Sequence, residues 1–185
     1  MKKLLTEWRQ FLDESRGDWL DRIEPIRKEQ NIFLSKGTFK GMRHVTQEDA
    51  PAWKPDGLWY SCGGAWIDWL KYNFPSKRKE MNYLYDIEID YSRVCKISTT
   101  EELREFEEQF SVINDDQPGW SHMKKQINWL NVQESGYHGF EINPLVSRRY
   151  WLEYWDIPSG CIWEPSAVKN VKLIATRRTK RTSQP

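Results

Sequence analysis

The chain predicts an α+β fold: short strands of alternating apolar residues are separated by a few helices at irregular intervals, without the regular β-α-β alternation of a doubly wound sheet. Three stretches carry that prediction. Residues 83–90 alternate apolar and acidic side chains as a half-buried strand does. Residues 98–103 place Ser and Thr ahead of Glu101 and Glu102, the signature of a capped helix start. Between them in importance, Gly57-Leu58-Trp59-Tyr60-Ser61 is an aromatic strand that breaks at Cys62-Gly63-Gly64 and runs into an amphipathic segment carrying Trp66 and Trp69. Glycines there permit close backbone approach to a ligand, and the flanking rings offer flat faces for stacking.

Taken in order, Leu4, Leu5, Trp8, Phe11 and Leu12, then Trp19, Leu20 and Ile23, recur at helical spacing up to Pro25. Short strands are expected at residues 32–34 and 42–46, separated by the turn-rich Ser35-Lys36-Gly37-Thr38. A loop over residues 48–57 delivers the chain to the aromatic strand, and a basic loop spans residues 76–79. After the strand at 83–90 come a short one at 94–97, the capped helix to about Phe110, and a further helix over 120–132 with Met123, Ile127 and Leu130 on one face. Strand structure restarts at residues 136–142. Residues 150–155 and 160–163, flanking Asp156-Ile157-Pro158-Ser159, read as a hairpin, and the last strand falls at 168–175. The expected organisation is an N-terminal helical extension (1–30), one catalytic domain (31–176) and a basic flexible tail (177–185).

Composition narrows the function classes. The 185 residues suffice for one ordinary domain. Tryptophan, tyrosine and phenylalanine make up 14% of the chain, so rings must line a core, a site or both. A net charge of +1 provides no global field to recruit a polyanion, so any nucleic-acid contact must be local. No apolar run approaches a membrane span, no secretion signal is read at the N-terminus, and a cytoplasmic, membrane-free protein is expected. Cys62, Cys95 and Cys161 form no paired motif, and His44, His122 and His138 lack metal-ligand spacing, so neither a disulfide framework nor a metal site is expected. There is no G-x-G-x-x-G, P-loop or nucleophile elbow.

The order of the pieces resembles the ADP-ribosyltransferase superfamily, in the style of its poly(ADP-ribose) polymerase and diphtheria-toxin branch. The resemblance runs over roughly residues 32–175. It is carried by Arg43-His44-Val45-Thr46, by Gly57-Leu58-Trp59-Tyr60-Ser61 with its following helix, by residues 85–94, by Gly136-Tyr137-His138-Gly139-Phe140, and by Glu164-Pro165-Ser166-Ala167-Val168 before the final strand. It implies a split, mixed or antiparallel sheet and NAD as the ADP-ribose donor. It also implies that His44 contacts the adenosine ribose and the backbone of Val45, with Thr46 beside it, holds the nicotinamide amide. Tyr60, Ser61 and one of Trp66 or Trp69 would then sandwich the nicotinamide ring.

The chain departs from the family at the catalytic acid. The family places a glutamate at the start of the last strand of the site, a position that falls here on about Ser159 or Gly160. Asp156 is the nearest acid and the first candidate, and Glu141 the second. A carboxylate is wanted because positive charge develops on the anomeric carbon as nicotinamide leaves. Gly139 stands where arginine-directed members carry their upstream acid or amide, so the expected acceptor is nucleic acid, RNA or single-stranded DNA, as in toxins of bacterial or phage conflict systems with a neutralising antitoxin. The alternatives are a protein-directed transferase, a non-catalytic aromatic cage built on Trp59, Tyr60 and Trp66, and an RNA 2′-phosphotransferase-like activity using Arg43 and Lys54.

Overall fold

The computed structural model describes residues 18–51, 53–113, 125–146, 150–152 and 155–177. The expected helix over residues 4–12, His122 and the tail beyond Arg177 lie outside the described residues. Nine strands are described: β1 (Asn31–Ser35), β2 (Leu58–Cys62), β3 (Tyr83–Ile89), β4 (Val94–Ile97), β5 (Ser111–Ile113), β6 (Lys125–Ile127), β7 (Gly139–Ile142), β8 (Ser159–Ile162) and β9 (Val168–Thr176). Seven of them make one sheet in the order β4-β7-β8-β2-β1-β3-β9, and β5 pairs with β6 apart from it. Only the β4–β7 pair is parallel, so the sheet is mixed and mostly antiparallel. Four α-helices are described: α1 (Ala65–Asn73), α2 (Pro75–Glu80), α3 (Thr100–Phe110) and α4 (Trp129–Glu134).

Side chains alternate across a strand, so each face of the sheet has its own core. One face carries Tyr60, Ile87, Ile89, Val94 and Ile162 with Ala167. The other carries two cores side by side. Over β4, β7 and β8, Ile97, Phe140 and Ile142 pack with Leu103, Phe106 and Phe110 of α3, Trp129 of α4, and Trp151, Trp155 and Trp163. Over β1 and β3, Ile32, Leu34 and Leu84 pack with Ile67 and Leu70 of α1 and with Leu20. Much of the aromatic excess therefore serves the first core, where Phe106 and Phe140 lie 4.9 Å apart between ring centroids and Trp129 meets Phe140 edge-on at 5.3 Å.

The helices start where local chemistry places them. Thr99 accepts the Glu102 N–H at 3.1 Å, while the Glu102 carboxylate accepts the backbone N–H groups of Ser98 and Thr99, forming a capping box for α3. Gly63, at φ 63°, makes the turn from β2 into α1, a conformation that favours glycine. Its N–H donates to the Gln30 carbonyl at 2.7 Å, and Gly64 faces Ile26. The close approach that these glycines permit is thus to the chain's own residues 26–30.

Four expectations about elements are corrected. Residues 42–46 form no strand: β1 and β2 already have neighbours on both sides, and this segment attaches to the sheet through the Val45 N–H, which donates to the Trp163 carbonyl at 2.9 Å. Residues 76–79 are helical, since Pro75 opens α2 and Arg78 is drawn inward by Asp18 and Asp21. Of the expected helix over 120–132, residues 120–124 lie outside the described residues; Lys125–Ile127 is β6, not helix, and Asn128, whose side chain accepts the Asn131 N–H, caps α4. Tyr150–Leu152 is a 3-10 turn, so β8 has no hairpin partner there and instead pairs with β2 and β7. Among the described residues no helix is long and apolar enough to cross a membrane.

Candidate functional site

Where the two cores on one face of the sheet meet, they leave a cleft. Trp59 and Trp155 come from the α3 side, Trp66 and Trp69 from the α1 side, and Lys54 and Asp156 supply opposite charges. Its volume of about 130 Å³ is close to that of an engineered ~150 Å³ cavity that accepts benzene, and well below the ~300–1,000 Å³ of pockets that engulf a drug-sized ligand. The cleft has room for one aromatic ring, with the remainder of a larger ligand outside.

The walls are fixed from several elements. Trp59 lies on β2 and meets Trp155 edge-on at 4.9 Å between ring centroids. Both indole N–H groups donate to the loop before β2, Trp59 to the Pro55 carbonyl at 3.2 Å and Trp155 to the Trp53 carbonyl at 3.0 Å. That loop carries Lys54, whose ammonium stands 5.0 Å from the Trp59 ring centroid. Burial lowers the Lys54 pKa, and the Asp156 carboxylate opposes the shift. Asp156 is exposed on the turn entering β8, beside Ile157, while the Pro158 carbonyl accepts the Cys62 N–H at 3.0 Å.

Tyr60 borders the cleft at the strand, but its side chain belongs to the other face. Its hydroxyl donates to the Glu141 carboxylate at 2.8 Å, as does Tyr91 at 2.7 Å, and Lys96 reaches the second carboxylate oxygen at 3.3 Å. Asn31 donates to the Tyr91 hydroxyl at 3.0 Å. Burial, with Glu141 adding to it, holds the Tyr60 and Tyr91 hydroxyls and the Cys62 thiol well above their usual pKa values.

The structure therefore gathers some of the residues singled out in the sequence and separates others. Asp156, Tyr60 and Trp66 border one cleft. Ser61 is buried, its hydroxyl donating to the Gly63 carbonyl at 3.0 Å. Glu141, 2% exposed, lies on the face away from the cleft. His44, Val45 and Thr46 stand beyond the far end of β8. There His44 Nδ1 is 2.7 Å from Glu164, and the Val45 backbone is engaged by Trp163 on its N–H and by Gln133 on its carbonyl. Lys54, Trp59, Trp69 and Trp155 complete the cleft. Trp59 and Lys54 stood in the sequence beside the aromatic strand, whereas nothing local in residues 150–155 marked Trp155 as its partner. Among the described residues no cluster of His, Cys, Asp and Glu could hold a metal ion. Comparison with protein-family models, curated proteins and solved structures gives no match.

Proposed function

We propose that the chain is an NAD-dependent mono-ADP-ribosyltransferase acting at the Trp-lined cleft on a macromolecular acceptor, with nucleic acid the first choice. The observation that carries this reading is the placement of the Asp156 carboxylate at a cleft sized for one ring and walled by indoles. A cationic nicotinamide ring is attracted to indole faces, and an anion beside it favours the same charge. As the bond between the ribose anomeric carbon and the nicotinamide nitrogen breaks, its electron pair leaves with nicotinamide. Positive charge then develops on the ribose, opposite Asp156. An acceptor nitrogen or oxygen forms the new bond to that carbon, and its proton passes to Asp156 and on to water. Lys54 provides the cation for the anionic part of the donor.

The test is to incubate the protein with NAD and, separately, RNA, single-stranded DNA and protein, following nicotinamide release and a mass gain of one ADP-ribose. Asp156→Asn should lower release about 100-fold or more, the usual scale for losing one preorganised charge-stabilising group. Full release by that variant would remove Asp156 from the chemistry.

One observation favours a second reading. The position where the resembling family carries its glutamate falls on about Ser159 or Gly160, neither of them an acid, and His44 and Val45 lie away from the cleft. A cage that binds a planar ring without cleaving it needs only the tryptophans. Ring binding that depends on Trp59 and Trp155, with no nicotinamide release, is the outcome that selects it.

A further inference from the structure

Trp66, Trp69 and Tyr72 follow one another at intervals of three on α1, so they form a row winding along one side of the helix. The first two line the cleft. The third leaves it, and Tyr72 is 79% exposed. Phe74, just past the end of α1, brings its ring 4.9 Å from that of Trp69 and remains 38% exposed. Lys77 Nζ then stands 4.9 Å from the Phe74 ring centroid. Two exposed rings, Tyr72 and Phe74, followed by the Lys77 ammonium thus make a ledge that leads out of the cleft.

The charges on the ledge are unevenly employed. Arg78 is buried against Asp18 and Asp21, and Lys71 pairs with Asp21 at 3.1 Å, so both serve the fold. Lys77 and Lys79 are exposed to solvent. Residues 65–80 hold four cations, Lys71, Lys77, Arg78 and Lys79, against two acids, Asp68 and Glu80, and Glu80 is paired with Lys36. The local sign is positive although the whole chain is nearly neutral. An exposed ring gains little by facing water, and a continuous apolar patch would suit a protein or lipid partner. Two separate exposed rings flanked by solvent-exposed lysines suit bases that carry phosphates beside them.

We propose that this ledge binds a single-stranded nucleic acid, with bases stacked on Tyr72 and Phe74, phosphates held by Lys77 and Lys79, and the strand led along α1 to the cleft. Delivery of an acceptor to the cleft rests on the transferase reading, whereas binding of the strand stands without it.

The experiment uses the full chain without NAD and fluorescein-labelled oligothymidine and oligouridine of about twelve nucleotides, enough to span the ledge and the cleft. A duplex of the same length and vesicles of phosphatidylcholine with phosphatidylglycerol serve as rivals. Both single strands should bind in preference to the duplex and the vesicles. Tyr72→Ala should weaken them about tenfold and Tyr72→Phe less than about twofold, because stacking needs the ring and not the hydroxyl. Replacing Lys77 and Lys79 together by Ala should flatten the salt dependence by about one to two in log–log slope. Unaltered affinity in Tyr72→Ala, with an unchanged melting temperature showing it folded, would overturn the proposal, as would preference for the duplex or the vesicles. Nicotinamide release separates the two readings: Tyr72-dependent oligonucleotide binding without release keeps the ledge and discards the transferase, and release with no strand binding does the reverse.

Discussion

Tyr60 reaches Glu141 across an intervening strand: β8 lies between β2 and β7, and the Tyr60 hydroxyl donates to the Glu141 carboxylate at 2.8 Å over Gly160. In the sheet register Tyr60 pairs with Gly160 and Gly160 with Glu141, so the three stand in one row on one face. The ring can lie flat over β8 only because Gly160 has no side chain. A Cβ there would collide with the phenol and come within 2.8 Å of the Phe140 carbonyl.

Gly160→Ala should therefore destabilise the protein by about 3 kcal/mol, the upper range for overpacking a close-packed site. Glu141→Ala should cost about as much, since it leaves the buried Tyr60 hydroxyl without its acceptor and removes that of the half-buried Tyr91 hydroxyl. Urea unfolding measures both. Because Glu141 faces away from the cleft, nicotinamide release by Glu141→Gln should follow its folded fraction. A loss of turnover in fully folded Glu141→Gln would move the chemistry to this face of the sheet.

The phenols of this cluster and the chain's three thiols set a sign for stability against alkaline pH. Burial raises the Tyr60, Tyr91, Cys62 and Cys161 pKa values and pushes Cys95 up to about 12. In the unfolded chain thiols release protons near 8.5 and phenols near 10. The unfolded state thus binds fewer protons than the native state once pH exceeds those values, and unfolding is favoured as pH rises. Stability should hold below about pH 8 and decline steadily above about pH 9. At pH 8 a thiol-specific disulfide reagent should react slowly with the native protein and with all three cysteines after urea treatment. Rapid reaction of Cys161 in the folded chain would contradict its burial.

At the start of α3, Thr99→Ala removes the side-chain acceptor of the capping box, leaving the Glu102 N–H without it. The expected cost is about 1 kcal/mol, read as a lower urea midpoint with an unchanged slope. Glu102→Ala should cost a similar amount, because its carboxylate serves the backbone of both Ser98 and Thr99.

That cap was legible in the sequence because its whole signal lies within a few residues, as was the alternation that gives β3 and the strand propensity that gives β9. Residues 42–46 have a strand's composition and no strand's partners, since pairing depends on which edges the rest of the sheet leaves free. Residues 76–79 read as a solvated basic loop, yet Arg78 is 4% exposed at its side chain because Asp18 and Asp21 meet it from residues 57 or more positions away. The cleft was half legible. Its β2 and α1 walls follow one another in the chain, and Asp156 was visible as the nearest acid. The meeting of Lys54, Trp155 and Asp156 is a product of packing between two cores, which no local pattern encodes.

His44 supplies the sharpest test of where the resemblance to ADP-ribosyltransferases holds and where it stops. Its imidazole Nδ1 is 2.7 Å from the Glu164 carboxylate, beside the end of β8 at Trp163, whereas Ser159 and Asp156 at the start of β8 border the cleft. A donor ring bound among the tryptophans would be served by Asp156 and Lys54 without help from His44. His44→Ala should therefore retain nicotinamide release within about twofold of the wild type, and Glu164→Ala should behave alike, since an exposed polar contact of this kind contributes only about 0–1 kcal/mol to stability. If instead His44→Ala abolished release in a folded protein while Trp59→Ala did not, the donor would sit against residues 44–46 as the resemblance implies, and the Trp-lined cleft would be left to the acceptor.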